Sequence, residues 1–530
     1  MTDPDAIVIG SGPNGLVAAN VLADAGWEVL VLEAQPDPGG AVRSAELTEP
    51  GFVHDRFSAF YPLAAASPVI QQLALEVHGL RWRRAPLVLG HPRPGGRAVT
   101  ISTDLDETVA SLDADAPGDG DAWRETYGQW ERLGTDLVGA LLSPFPPVRS
   151  GLRLLARLGP RGVLPFARFG VLPVRRYAKE TFSGEGAALL LTGLTMHTDL
   201  GPDSTGGTLF GWLLAGIGQQ GGFPIPEGGA GRLSAALVSR LESRGSTVRC
   251  GMRVTGVDVR EDRVVGVTCA DGTVIPAGRA VLADTGAPAL YRDLVGEAHL
   301  PASFLDDLRG FEYDHATVKV DWALDGPVPW TAEALRGAGT VHLADSMDDL
   351  TRFASDLATE HIPARPFLVL GQMTTADPTR SPPGTETLWG YTHVPARVRG
   401  DNGGALTGRW DDDEARAFAD RMEAEIERRA PGFRALVRAR NVVTPAALEA
   451  SNANLVHGAL NGGTAQLHQQ LVFRPTPGLA RAETPVRGLY LASASAHPGG
   501  GVHGACGANA ARAALAAERR ARIVRAVIPT

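Results

Sequence analysis

Apolar and polar positions along this chain change period several times, and the changes mark out its elements. Residues 6–9 are continuously apolar, Gly10, Gly12 and Gly15 follow, residues 16–25 place apolar side chains at helical spacing, and residues 28–32 form a second apolar run. This predicts strand, turn, helix and strand, a βαβ unit. Farther on, "AGRLSAALVSRLESR" predicts a helix over residues 230–244. Four short strands with a "DG" turn at Asp271 and Gly272 are expected after it, ending by residue 284. Between residues 295 and 475 the pattern is mixed: "TVKVDWAL" and "ETLWGYTHV" read as strands, and "DDEARAFADRMEAEIERRA" as a helix. Near the end, "GLYLAS" reads as a strand and "ANAARAALAAERRARIV" as a helix, with the glycine-rich "SASAHPGGGVHGACG" between them.

The first turn carries chemistry. Gly10 permits a tight turn, Gly12 lets backbone approach a pyrophosphate, and Gly15 lets helix and strand pack closely, while Pro13 and Asn14 open the helix whose N-terminus attracts phosphate. Glu33, followed by Ala34, ends the second strand where an acid accepts the two ribose hydroxyls of an adenosine. Gly39, Gly40, Ala41 and Arg43 then bring backbone and a guanidinium back to the phosphate side. This second glycine pair resembles FAD-binding flavoproteins. Gly216, Gly218 and Gly221 repeat the glycine spacing, but Pro224 and Pro226 prevent them from opening a helix. In the late glycine run, His497 and His503 match no zinc spacing, so no metal is expected and the run reads as a second strand-to-helix turn.

Composition narrows the classes. The chain has 530 residues, with 50 basic and 59 acidic side chains and a formal net charge of -9, so it has no electrostatic reason to bind nucleic acid. Cys250, Cys269 and Cys506 form no framework, which suits a reducing, cytoplasmic setting. Acidic residues stand near the start where a secretory leader would be basic, so no cleaved segment is expected. The apolar run around Trp212 falls short of the ~20 residues a membrane span requires. Residues 137–179 stand apart, with eight basic side chains and no acidic one, and with Arg149, Arg153 and Arg157 at helical spacing beside leucines. This makes the stretch a candidate for peripheral contact with an anionic membrane surface, beside the readings of a solvated helix face or an oligomer contact.

Three stretches together, "IGSGPNGLVAAN…LEA…GGAVRS", "PIPEGGAGRLSAAL" and "GLYLASASAHPGGGVHGACGANAARAAL", resemble the phytoene desaturase-like branch of the FAD-dependent amine-oxidase superfamily. They are most similar to bacterial oxidoreductases grouped with proteins called pyridine nucleotide-disulfide oxidoreductase domain-containing. The resemblance implies an α/β fold with an interrupted, glutathione-reductase-like Rossmann domain and a substrate domain; the mixed pattern makes the latter α+β, and the basic stretch 137–179 adds a helical insertion read as membrane-facing. The expected divisions are residues 1–75, 221–292 and 479–530 for the FAD domain, 76–220 for a helical capping region, and 293–478 for the substrate domain. It also implies FAD as cofactor, backbone contact of Val254 with adenine, and Ser493, Gly501, Val502 and His503 around the flavin.

The expected activity is hydride movement between flavin and a carbon–carbon bond of a lipophilic, polyene-like small molecule. Two alternatives stand beside it: an isomerase or saturase using reduced flavin, and a non-catalytic FAD-stabilised protein that binds membranes or partners. Flavin supplies the hydride chemistry, so the protein's task is to position a C–H bond and handle one proton. His197 and His503 are the candidate catalytic residues, with His393 and the pair His54 and Asp55 behind them. Trp322, Trp330, Trp389 and Tyr391 could line a pocket or serve the core. Cys506 falls in a first helical turn, where a thiol is acidified unless it merely packs.

Overall fold

The computed structural model describes residues 3–527. A five-stranded parallel sheet is assembled from distant parts of the chain, in the order Leu489–Leu491, Ala280–Ala283, Ala6–Ile9, Val29–Leu32 and Thr247–Arg249. Its central strands are apolar throughout because both faces are covered, as parallel strands require. The helices Pro13–Asp24, Gly231–Glu242 and Ala505–Val527 share one core against it. Where the first and last of these cross, Gly507 lies against the backbone of Asn14 and leaves no room for a side chain.

Strands Val254–Arg260, Arg263–Cys269 and Val274–Pro276 form a separate antiparallel sheet. Five strands thus occupy the stretch where four are expected. The extra one is the short edge strand Thr247–Arg249, whose polar composition conceals it.

A seven-stranded sheet forms the second half, in the order Val437–Val443, Ala316–Leu324, Glu386–Val394, Leu368–Gln372, Ala338–Leu343, Leu87–Arg93 and Arg97–Ile101. The last two strands come from the region expected to be helical. They are a hairpin about Gly95 and Gly96, both in the left-handed region, and it docks parallel to Ala338–Leu343. One face of the sheet buries Val318, Val320, Trp322, Leu370 and Leu388 against Phe418, Met422 and Ile426 of the helix Asp412–Glu427. The strand period of two sends the intervening residues to the opposite face.

The rest of the 76–220 region is helical. The helix Gly207–Gly221 contains the repeated glycine spacing, and Gly216 serves to seat the Trp130 ring. The helix Val148–Val171 is interrupted at Gly159, just before Pro160. Arg153 and Arg157 lean on Asp136 of the preceding helix, Asp119–Leu141. Among the described residues, no helix is long and apolar enough to cross a membrane.

Candidate flavin and substrate site

The glycine loop is shaped by close backbone approaches. Gly12 is the N-cap of the helix Pro13–Asp24, with Pro13 in its first turn. A Cβ on Gly15 would fall 2.2 Å from the Gly10 carbonyl oxygen, so this crossing admits glycine alone. Glu33 ends its strand beside the loop. Its Oε2 accepts from Ser11 N at 2.9 Å and Ser11 Oγ at 2.6 Å, and its Oε1 from Gln35 N at 2.9 Å.

Gly40 folds back so tightly that a Cβ would sit 2.8 Å from the Gly12 Cα. Arg43 Nε donates to the Gly40 carbonyl at 2.9 Å, and its guanidinium lies over the Phe57 ring. Ala41 packs near the same ring and accepts a bond from Ser58 Oγ. The Met252 amide bonds the Glu33 carbonyl at 2.8 Å, which brings the strand beginning at Val254 alongside the acid, with Ala34 exposed next to it. The structure therefore gathers Gly10, Gly12, Pro13, Asn14, Gly15, Glu33, Ala34, Gly40, Ala41, Arg43 and Val254 around one cradle. Glycine at each close approach, a helix N-terminus and a ribose-reading acid fit a dinucleotide.

The second strand-to-helix turn begins at Ser493, one residue after Ala492 bonds the Ala283 carbonyl. Gly501 and Val502 both have positive φ, and Gly501 lies against Leu63. His503 points back into this loop. Its Nδ1 accepts from Ala505 N at 3.1 Å, the backbone of Gly499 and Gly500 bonds the ring, and burial lowers its pKa to about 4. With its ring tied to its own loop, His503 shapes the turn and offers no free base, contrary to expectation. For Cys506 the structure favours the packing reading: burial outweighs the helix N-terminus and raises its thiol to about 12, and the thiol donates to the Gly499 carbonyl.

The segment holding Leu63 also carries Phe60, whose ring is 6.1 Å from that of Trp389. Residues 60–63 therefore link the glycine turn to the inner face of the seven-stranded sheet. Along this face Trp389 stacks on Tyr391 at 5.8 Å, Tyr391 meets His393 at 5.6 Å, and His393 meets His315 at 6.2 Å. Tyr391 also meets His197, just beyond the helix Glu185–Thr195, and His197 Nε2 is 2.8 Å from His342 Nε2. Two imidazoles at that distance share one proton, one ring donating and the other accepting. Burial lowers His197 to about 4 and His393 to about 3, and it holds His342 well below its ordinary value. The row is neutral near pH 7.

His342, on a strand, and His315, just before one, escape sequence reading because neither carries a signal of its partner across the sheet. The closest hint is Gly193, which leaves room for the His342 ring. Trp322 and Trp330 belong to the core instead of a pocket, bonding Glu423 and Gln372. His54 and Asp55 also lie outside the row. They sit in a buried charge cluster with Asp321, Lys319 and Arg380, where Asp55 accepts from Ser44 Oγ and Ala230 N of its own half and pairs with Arg380 of the other, which pins the two halves together.

Asp199 and Asp314 flank the row, and both are capped by the loop 460–465. Asp199 accepts from Ala465 N and Thr464 Oγ1, and Asp314 accepts from Leu460 N and Asn461 N. Burial, with the neighbouring Asp199 charge, raises Asp314 to about 7. Arg474, fully buried, holds this loop to the flavin-side turn by donating to the carbonyls of Asn461, Gly463, Thr464 and Ala494. Among the described residues, no group of histidine, cysteine or acidic side chains could hold a metal ion.

An interrupted dinucleotide fold joined to a sheet whose inner face looks toward its second glycine turn defines an FAD-dependent oxidoreductase. The chain belongs to the flavin containing amine oxidoreductase family, whose model matches residues 174–515, while a model of the NAD(P)-binding Rossmann-like domain matches residues 8–76. FAD is its cofactor, which supplies hydride acceptance and return when bound.

The chain is 29% identical to pyridine nucleotide-disulfide oxidoreductase domain-containing protein 2 of Mus musculus, over 96% of this chain and 92% of that protein. It is 24% identical to one subunit of the limonene dehydrogenase of Castellaniella defragrans, over 96% of this chain and 94% of that one. It is 25% identical to a lycopene-forming phytoene desaturase of a Paracoccus species, over 96% of each chain. Among solved structures, putrescine oxidase bound to putrescine shares the fold, with a TM-score of 0.60 and 16% identity over 98% of this chain and 99% of that one.

Proposed function

We propose that this oxidoreductase moves a hydride between flavin and a carbon–carbon bond of an uncharged, lipophilic substrate. The observation that carries the reading is the row of Trp389, Tyr391, His393, His197 and His342, whose imidazoles are all driven neutral by burial. Such a wall contacts hydrocarbon well, since its own rings carry no charge. Asp199 and Asp314 are already engaged by loop amides. Two relatives similar over nearly the whole chain bear names that refer to limonene and phytoene, which supports the same class.

In this reading His197 and His342 receive the proton that leaves with the hydride, since their shared proton and orphan His342 Nδ1 allow a shift along the pair. Gly501, Val502 and Ser493 shape the flavin's seat, and Leu63 and Phe60 exclude water between flavin and sheet.

Anaerobic mixing with candidate substrates tests this. Flavin absorbance near 450 nm is expected to bleach with a monoterpene or polyene and to remain with putrescine. Bleaching by the diamine alone would overturn the reading, and alkene turnover with unchanged flavin colour would favour the isomerase alternative.

We also propose that the helix Val148–Val171 rests on an anionic lipid surface. Leu152, Leu155 and Leu164 are 63%, 49% and 78% exposed, while Leu154, Leu158 and Phe166 pack inward, and exposed Arg149 and Arg161 flank the outer leucines. The protein is expected to float with phosphatidylserine vesicles and not with neutral ones, and to lose flotation when the three leucines are replaced by serine. Equal recovery with both vesicle types would refute this contact.

A further inference from the structure

Asp284 follows the strand Ala280–Ala283 and is fixed by its backbone: its amide bonds the Ile9 carbonyl at 2.8 Å, and its carbonyl accepts from Asn454 Nδ2 at 2.9 Å. Its carboxyl reaches into the glycine cradle. Oδ2 accepts from Gly15 N at 2.9 Å, and it would lie only 2.5 Å from a Cβ on Gly12. Asp284 thus occupies the N-terminal end of the helix that a diphosphate must approach, and it is itself almost fully buried.

The surrounding elements supply no counter-charge. The helix Pro13–Asp24 contributes amides and Asn14, whose buried Oδ1 has no partner. The strand Val29–Leu32 leads into the Glu33 carboxylate, the helix Ala505–Val527 contributes Cys506, and residues 452–454 contribute Asn454. Among the described residues, no lysine, arginine or histidine forms an ion pair with Asp284.

We propose that Asp284 couples cofactor binding to protonation: its carboxyl takes up one proton when the FAD diphosphate is seated. Burial, reinforced by the Glu33 charge, raises this carboxyl to about 7 despite the Gly15 bond. A diphosphate adds negative charge at the same helix end and raises it further. The sign follows. Below about pH 7 the group is already protonated and FAD affinity is at its maximum; as pH rises above that point, binding must supply the proton and affinity falls. Around the flavin turn, His497 and His503 are both lowered to about 4 and Cys506 raised to about 12, so none of these titrates in this window. The inference concerns only the cofactor and is independent of which substrate is oxidised.

Apo-protein titrated with FAD, followed by flavin fluorescence quenching, is the test. Between about pH 7 and pH 8.5 the wild-type Kd is expected to rise toward tenfold per pH unit, the slope for one proton taken up. D284N, of equal size and always neutral, is expected to bind FAD with a Kd that changes less than about twofold over the same range. Calorimetry of the wild type in two buffers of unlike ionisation enthalpy gives a reading that does not depend on any variant folding, and should show uptake approaching one proton. A flat wild-type profile, zero proton uptake, or an undiminished slope in D284N would each overturn the proposal.

Discussion

Alanine at Gly507 is expected to yield protein that purifies without FAD and unfolds at markedly lower denaturant. The added Cβ would stand 1.9 Å from the Asn14 carbonyl oxygen and 3.1 Å from Ala18 N. Both are helix backbone, so no side-chain rotation relieves the clash, and the helices Pro13–Asp24 and Ala505–Val527 must separate. Overpacking of this kind costs about 3 kcal/mol. The cofactor is lost with it, because the displaced helix is the one that opens on Gly12 and Pro13. Urea unfolding followed by tryptophan fluorescence, together with flavin content from the visible spectrum, checks both outcomes. A flavin-loaded variant with a wild-type midpoint would show that the crossing is looser than described.

Methionine at Arg474 should give the second large loss. The side chain is fully buried, and it bonds four carbonyls from two loops. An apolar replacement of similar length leaves those acceptors dry and unpaired, a cost on the order of 3 kcal/mol or more. The loop 460–465 would then part from the flavin-side turn, where Gly500 packs against Asn461. Flavin reduction is expected to slow more than FAD binding weakens, since the cradle around Glu33 lies elsewhere. R474K, which keeps the charge but covers fewer carbonyls, should fall between the two. If R474M matched the wild type in both unfolding and flavin reduction, Arg474 would have no holding role.

What could be read from the chain and what could not follows from how local each feature is. Strand, glycine turn, helix and Glu33 lie within a few dozen residues, and their chemistry depends on neighbours in sequence. The late turn was legible for the same reason, flanked by its own strand and helix. Asp284 was not, since its partner Gly15 is 269 residues away. His342 became a candidate only when the sheet register placed it opposite Val369, one strand over from Tyr391, and the helix before His197 came down on it. The hairpin Leu87–Arg93 and Arg97–Ile101 was hidden in a helix-rich region, although its paired glycines marked the turn. The four aromatic candidates divided by strand parity: Trp389 and Tyr391 face the cluster that holds Phe60, and Trp322 and Trp330 belong to the core on the opposite face. Parity is visible in sequence, but which face is inward is not.

The order in which strands enter the two sheets sets a timetable for synthesis. All seven strands of the larger sheet fall between residues 87 and 443, so it can pair while the chain is still being made. The five-stranded sheet takes its last strand from Leu489–Leu491, and the helix covering the dinucleotide loop begins only at Ala505. A nascent chain therefore carries an incomplete, apolar-faced sheet of four strands until residues 489–491 and the helix that follows them emerge.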